Sequence, residues 1–263
     1  MEMHRVSVGI AASAGEDVAR AIAPVLERAG LRALWVNETP GANALDVAAA
    51  AAAATSRLAV ATGVIPVDRR PPTDVLADLA RLDIPRDRLV LGIGSGGARG
   101  AGVLALMRDA VGRLRADAGS AVAVGALGPR MRRLAAEEAD GVVLNWLTPG
   151  AAREQTDAHH ARSRAAGRDG GRVALYVRTA FDEAALGRLE AEAARYGSYP
   201  AYAANFERLG FGPADTVIRP GALRARLAQY LAAVDEVVLR AIVPGDDAGD
   251  YVRFAEGVAE AVR

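Results

Sequence analysis

Leu89-Val90-Leu91-Gly92-Ile93-Gly94-Ser95-Gly96-Gly97 is the stretch whose reading decides the fold. Its first half is apolar without a break, as expected of a strand covered on both faces. It then collapses into a glycine-rich turn, and a stretch with helical spacing, 98–116, follows. Strand, turn and helix in that order form the unit of a parallel sheet. Working outward, the same unit recurs. Further strand-like runs are Arg5–Ala11, Leu31–Val36, Leu58–Val64, Ala121–Val124, Gly141–Asn145, Arg172–Arg178 and Glu236–Ile242. Helical stretches separate them: 15–29, 43–55, 72–82, 129–138, 149–166 and 182–196, with a last one over 249–262. Eight strands alternating with helices predict an α/β fold, a closed (β/α)8 TIM barrel. The rival is an open, doubly wound sheet.

The chain has 263 residues, within the range of a single barrel of about 250. No linker divides it, so 1–263 reads as one domain. The one irregular region, Tyr196–Pro220, predicts a short helical insertion before the last strand, carrying Tyr196, Tyr199, Tyr202, Phe206 and Phe211. Apolar residues make up 51% of the chain, enough for a large core, and 32 basic residues balance 32 acidic ones. That balance gives no reason to expect nucleic acid or an anionic membrane as partner. Cysteine is absent, which excludes disulfides, thiolate metal sites and cysteine nucleophiles. Every basic residue is arginine, so Schiff-base chemistry and a P-loop lysine are excluded as well. The only histidines are His4, His159 and His160, and no metal site is expected. Met1–Ala14 lacks the long apolar run of a secretory signal, and the alanine-rich run 42–54 is too short to span a bilayer. A cytoplasmic protein acting on a small molecule is the expectation.

In such a barrel, function lies at the carboxyl ends of the strands. Gly94-Ser95-Gly96-Gly97 and Gly128-Pro129 both combine glycine with a helix start, so backbone N–H groups are free to approach an anion. Together they predict a phosphate cradle, with Ser95 adding a hydroxyl; the alternative is that the glycines only permit tight turns. Small residues ending the first, third and fifth strands leave a floor for a flat ring. Trp35 and Trp146 fall at strand ends, as walls of that cleft or as buried barrel residues. Glu38 is the acid–base candidate, its alternative role being to cap or to pair with Arg69 or Arg70. Asn37 and Asn145 are candidates to polarise a carbonyl, and Arg178 and Arg240 to meet an anionic group. His159-His160 reads as a solvated helix face.

Three blocks carry a resemblance: Leu34-Trp35-Val36-Asn37-Glu38, Ala61-Thr62-Gly63-Val64-Ile65-Pro66 and Leu91-Gly92-Ile93-Gly94-Ser95-Gly96. They look like successive blocks of the bacterial luciferase-like monooxygenase superfamily. A fourth, running from Ala126-Leu127-Gly128-Pro129 to Leu144-Asn145-Trp146, resembles its branch that uses the deazaflavin coenzyme F420. The resemblance implies a barrel enzyme passing a hydride between F420 and a small organic substrate, with an FMN-dependent monooxygenase or a coenzyme-free structural barrel as alternatives. It also implies a cis peptide at Gly63–Val64 in a bulge, Thr62-Gly63-Val64, under the ring. Gly94-Ser95-Gly96-Gly97 and Ala126-Leu127-Gly128 match contacts to the coenzyme's phosphate and ribityl chain. Glu38 matches an acidic residue near the ring and is expected to handle the proton, with Trp35, Trp146 and Asn145 shaping the site. Thr39 stands where deazaflavin sugar-phosphate dehydrogenases often carry histidine, which puts that substrate in doubt. The chain is shorter than many relatives, so part of their lid is expected to be missing. A homodimer is implied too, and the small-residue face Ala48–Ala54 is able to pack closely, either between copies or within the chain.

Overall fold

Alternation along each strand sorts side chains into two cores. The computed structural model describes residues 2–263. Its strands are β1 (Val6–Ala11), β2 (Ala33–Asn37), β3 (Ala59–Thr62), β4 (Ile65–Pro66), β5 (Leu89–Gly94), β6 (Ala121–Gly125), β7 (Gly141–Asn145), β8 (Arg172–Thr179) and β9 (Glu236–Ala241). Every pairing is parallel, in the order β3-β2-β1-β9-β8-β7-β6-β5-β4, and a β3–β5 pairing closes the ring. The two-residue β4 continues the line of β3 past a bulge at Gly63-Val64, so the barrel has eight staves. The open-sheet rival is excluded by that closure.

Outward-facing Val8, Ile10, Leu34, Val36, Leu91, Val124, Leu175 and Leu239 belong to the main core beneath the helices. The inward set is separate and smaller: Ala33, Trp35, Ala61, Ala123, Val143, Ala174, Tyr176 and Val238. Two large aromatics therefore fill an interior otherwise lined by small side chains. Trp35 and Tyr176 meet edge to face, with ring centroids 5.8 Å apart.

Helices α1 (Gly15–Arg28), α2 (Ala44–Ala53), α3 (Pro72–Arg81), α4 (Val103–Asp117), α5 (Pro129–Glu138) and α6 (Pro149–Ala165) follow the first six staves. Proline opens α3, α5 and α6, where a missing N–H costs no hydrogen bond. Asn43 caps α2, accepting from Leu45 N at 2.8 Å. In α2, Ala48, Ala50, Ala51 and Ala52 are buried within this one chain, wedged against α1 and the barrel. The face offered by the sequence as a dimer surface is thus used for internal packing.

The insertion is helical, as expected, and larger than the stretch 196–220. After β8 come α7 (Leu186–Ser198), α8 (Pro200–Leu209), a 3-10 turn at Pro213–Thr216 and α9 (Leu223–Leu231), before β9 and the closing α10 (Ala248–Val262). Trp146, Leu189, Phe206, Val217 and Ile242 form a third cluster beneath it. The Tyr230 hydroxyl lies 3.0 Å from the carbonyls of Leu147 and Thr216, tying α9 to the rim. Among the described residues no helix is long and apolar enough to cross a membrane.

Candidate active site

Strand alternation brings Ala11, Asn37, Gly63, Gly94, Gly125, Asn145, Arg178 and Arg240 to the uppermost inward layer, at the carboxyl end of the barrel. One half of this mouth is glycine and alanine. The other half is amide and guanidinium.

The glycine half is shaped by the bulge. The Gly63–Val64 peptide is cis, as the resemblance implied. Thr62 is fully buried and its hydroxyl donates to Gly92 O at 2.9 Å. A methyl group on Gly92 would stand 1.9 Å from the Thr62 carbonyl oxygen, and one on Gly94 would stand 2.6 Å from Val64 Cγ2. On Gly125 it would meet Val64 Cγ1 at 3.1 Å. These glycines make room for Val64, whose side chain leans over them as the top of a small-residue floor. Beneath Gly63 lies the Tyr176 hydroxyl, 2.0 Å from where a Cβ would be. That hydroxyl is buried with no hydrogen-bond partner, and burial holds the phenol far above its ordinary pKa. The Asn37 amide donates to Gly63 O, leaving its own Oδ1 buried and unpartnered, and Thr39 Oγ1 is in the same condition.

Several expectations need correction. Trp35 is not a wall of the mouth. It sits one inward layer below Asn37, 2% exposed, and its indole N–H donates to Glu236 Oε1 at 2.7 Å, toward the opposite end of the barrel. Glu38 is not a free proton carrier. Arg70 Nη1 lies 2.7 Å from both its carboxylate oxygens and Ala44 N donates to it at 2.8 Å, so it has the pairing and capping role. Arg70 also reaches Asn43 and Asp78. Burial raises the Asp78 pKa, but hydrogen bonds from Arg81 and Asn43 and the Arg70 charge outweigh it, and the net shift is downward.

The third correction concerns the glycine turn. Asp68 lies in it: Gly97 N donates to Asp68 Oδ2 at 2.7 Å. Gly96 has φ +57°, and a Cβ there would strike Asp68 Oδ1 at 1.9 Å. A carboxylate thus occupies the place foreseen for a phosphate, beside half-buried Ser95, and like charges repel there. At the second loop, Ala126 N donates to Val143 O, Leu127 O accepts from Arg132, and Gly128 precedes α5 without a side-chain cap. The first-turn N–H groups of α5 keep their positive end toward the rim.

In the guanidinium half, Arg178 is 3% exposed and held on four sides. Its Nε donates to Glu192 Oε1 of α7 at 3.0 Å, Nη1 donates to Asn145 Oδ1, and its Cζ lies 4.1 Å from the Trp146 ring and 4.8 Å from that of Tyr196. Burial raises the Glu192 pKa, but the Arg178 and Arg240 charges lower it further, so this carboxylate stays ionised. Trp146 therefore does not line a ring cleft. With φ +55° it turns away from the strand and anchors the insertion against Tyr196 and Phe206. Asn145 is engaged with Arg178 rather than free.

His159 was expected in solvent. It is 5% exposed, and its pKa is lowered to about 4 by burial, then by the neighbouring His160 charge. His160 pairs with Asp235 at 3.0 Å, at the amino end of the barrel and away from the mouth. Sequence reasoning named Arg70 as a partner for Glu38 but missed the roles of Asp68, from the same β4–α3 loop, and of Glu192, from α7. Tyr176 was also missed, although its inward parity with Arg178 was a readable signal.

Val64 and the inward glycines form a floor of small side chains, with the Tyr176 hydroxyl beneath Gly63 and Asn37 Oδ1 beside it, both buried and unpaired. At the Gly96-Gly97 turn the Asp68 carboxylate already accepts from the Gly97 N–H. Residues 3–115 match the family described as luciferase-like monooxygenase. No curated protein sequence matches the chain. Among solved structures, an F420-dependent secondary alcohol dehydrogenase in complex with an F420–acetone adduct superposes with TM-score 0.73 at 16% identity, covering 98% of this chain and 99% of the other. The coenzyme F420-dependent tetrahydromethanopterin reductase of Methanopyrus kandleri gives 0.68 at 17% identity, over 96% and 98%. The FMN-bound oxygenating constituent of 3,6-diketocamphane monooxygenase, from Pseudomonas putida, gives 0.70 at 16%, over 97% of each chain. At these identities the likeness is one of fold.

Proposed function

We propose that this chain, luciferase-like in sequence over residues 3–115 and in fold throughout, is an oxidoreductase that transfers a hydride between the deazaflavin F420 and a small organic substrate. The observation that carries the reading is the floor: Val64 laid across Gly92, Gly94 and Gly125, with the Tyr176 hydroxyl and Asn37 Oδ1 buried and unpaired beside it. A buried polar atom without a partner costs about 1–3 kcal/mol, so a bound polar ring edge that satisfies it is favoured. When bound, the coenzyme supplies two-electron hydride chemistry. The chain does the rest. Val64 and the glycines present a flat face, Asn37 fixes the Gly63 carbonyl, and Asn37 Oδ1 and Thr39 Oγ1 accept or donate at the ring edge. Helices α7 and α8 close the guanidinium side and limit water.

Proton handling follows from the pairings. Glu38 is tied to Arg70 and Glu192 stays ionised between Arg178 and Arg240, so neither carboxylate is a ready acid. The substrate's proton is supplied by water at the open rim. An FMN-dependent reaction on the same floor is the second reading, supported by the FMN-bound neighbour of nearly equal TM-score. We further place the protein in the cytoplasm, as a single domain and a homodimer. Titration of the purified protein with F420 and, separately, FMN, followed by fluorescence, tests the reading. Tighter binding of F420 is expected. Tighter binding of FMN replaces the coenzyme assignment, and binding of neither removes the enzyme reading in favour of a coenzyme-free barrel.

A further inference from the structure

Across the mouth from the glycines, the carboxyl end of β9 opens into a cavity of about 350 Å³ between the barrel rim and α7. Arg188, Arg195 and Arg240 line it, together with Glu192 and an apolar wall that includes Ile242 and Tyr251. The carboxylates around it are already committed. Glu192 faces Arg178 at 3.0 Å and reaches Arg195 only at 3.8 Å. Asp246, on the rim, pairs with Arg188 at 2.7 Å. Asp247 and Asp250 hold the start of α10: Asp250 N donates to Asp247 at 2.9 Å, and Gly245 N donates to Asp250 at 2.7 Å. Asp250 pairs with Arg253 as well. Among the described residues, no carboxylate lies within 4.0 Å of the Arg240 guanidinium, which turns one N–H to the carbonyl of Ala241. The lining thus carries surplus positive charge in a partly enclosed, half-apolar space, where charge-assisted bonds are strong.

We infer that this cavity binds an anionic oxygen group, a phosphate or a carboxylate, gripped by Arg240 and Arg195. Guanidinium forks match both groups in a bidentate manner. β8 and β9 are the seventh and eighth staves of the barrel, and the loops after those staves often build phosphate sites in this architecture. At the Gly96-Gly97 turn, by contrast, the Gly97 N–H is already taken by the Asp68 carboxylate. The anion belongs either to the coenzyme's tail or to an acidic substrate; only that choice rests on the proposed function, and the anion site itself does not.

The test uses inorganic phosphate as probe, titrated by calorimetry into the wild-type protein and into Arg240→Ala, Arg195→Ala and, as a charge-loss control, exposed Arg113→Ala. Arg240→Ala is expected to weaken phosphate binding at least tenfold and Arg195→Ala severalfold, with Arg113→Ala unchanged. Thermal melts confirm folding, and Arg195, exposed on α7, keeps the test sound if Arg240→Ala unfolds. Failure of the wild type to bind phosphate, or wild-type binding in both cavity variants, overturns the inference. A second arm compares FMN with riboflavin, the same ring with and without phosphate. A preference for FMN that vanishes in Arg240→Ala assigns the cavity to the coenzyme tail. Phosphate binding that survives saturation with FMN assigns it to the substrate. If neither flavin binds, the F420 titration alone decides the proposed function, while the phosphate result still stands or falls alone.

Discussion

The two ends of the barrel interior treat buried polar groups in opposite ways. At the amino end, Glu236 is 1% exposed, yet Ser7 Oγ at 2.6 Å, Trp35 Nε1 at 2.7 Å and Arg32 Nε at 2.8 Å all donate to its carboxylate. At the carboxyl end, the Tyr176 hydroxyl, Asn37 Oδ1 and Thr39 Oγ1 are buried and unpaired. A charge that spends all its lone pairs on its own chain stabilises the fold and has nothing left for a ligand. Polar atoms left over at the other end are where binding energy remains to be gained. Within the barrel interior, hydrogen-bond accounting sets the Glu236 cluster apart from the mouth.

Breaking the amino end should have the largest effect. Glu236→Ala leaves the Trp35 indole and the Arg32 guanidinium without their acceptor and is expected to cost about 3–5 kcal/mol, read as a fall in the urea midpoint. A loss under about 1 kcal/mol would show that the carboxylate is dispensable and the contrast false. Just outside the barrel at the same end, buried His159 gives a pH dependence. Its pKa is about 4 when folded against 6.5 for the free group, so the unfolded chain binds the extra proton. Its contribution is fully present above about pH 6.5 and is lost as pH falls through 6.5 toward 4, by up to about 3 kcal/mol. His159→Gln should flatten that part of a stability-versus-pH curve; an unchanged slope would exclude His159 as its source.

The smallest effects sharpen the comparison most. Trp35→Phe removes one donor from a buried carboxylate and should cost about 1.5–3 kcal/mol beyond any packing loss. Tyr176→Phe removes a hydroxyl that bonds to nothing, and the ligand-free protein should be within about 0.5 kcal/mol of wild type or slightly more stable. The same variant should bind the coenzyme more weakly. Equal destabilisation by the two substitutions would erase the distinction between the ends.

How far the molecule could be read in advance depends on the range of the signal. Apolar runs and helix starts are local, so the eight staves and the closing helix were legible; the Gly63–Val64 bulge was expected from the family resemblance alone. Trp35 was misplaced although its parity with Asn37 was visible: the two share the inward face, two residues apart, which puts the indole one layer deeper. Trp146 offered no such clue, because its φ of +55° breaks the alternation that parity reasoning assumes. Asp68 lies 29 residues from the Gly97 it binds, and Glu192 lies 14 from Arg178, so tertiary packing of neighbouring units, not local sequence, brings them together. Glu38 was the intermediate case. Both of its roles could be named from sequence, and the choice rested on where Arg70 points.

The run of alanines in α2 has a consequence for how the protein can vary. Ala48 and Ala51 are 0% exposed and Ala52 is 3%, and a methyl is the largest side chain that sits there without displacing a neighbour. Any added carbon must push the backbones of α1 and α2 apart, so this flank has no slack. The opposite flank presents the long, exposed side chains of Arg188, Arg195 and Tyr199, which have room for larger or smaller replacements. New specificities should therefore accumulate on the α7–α8 side, while the alanine side stays nearly frozen through descent.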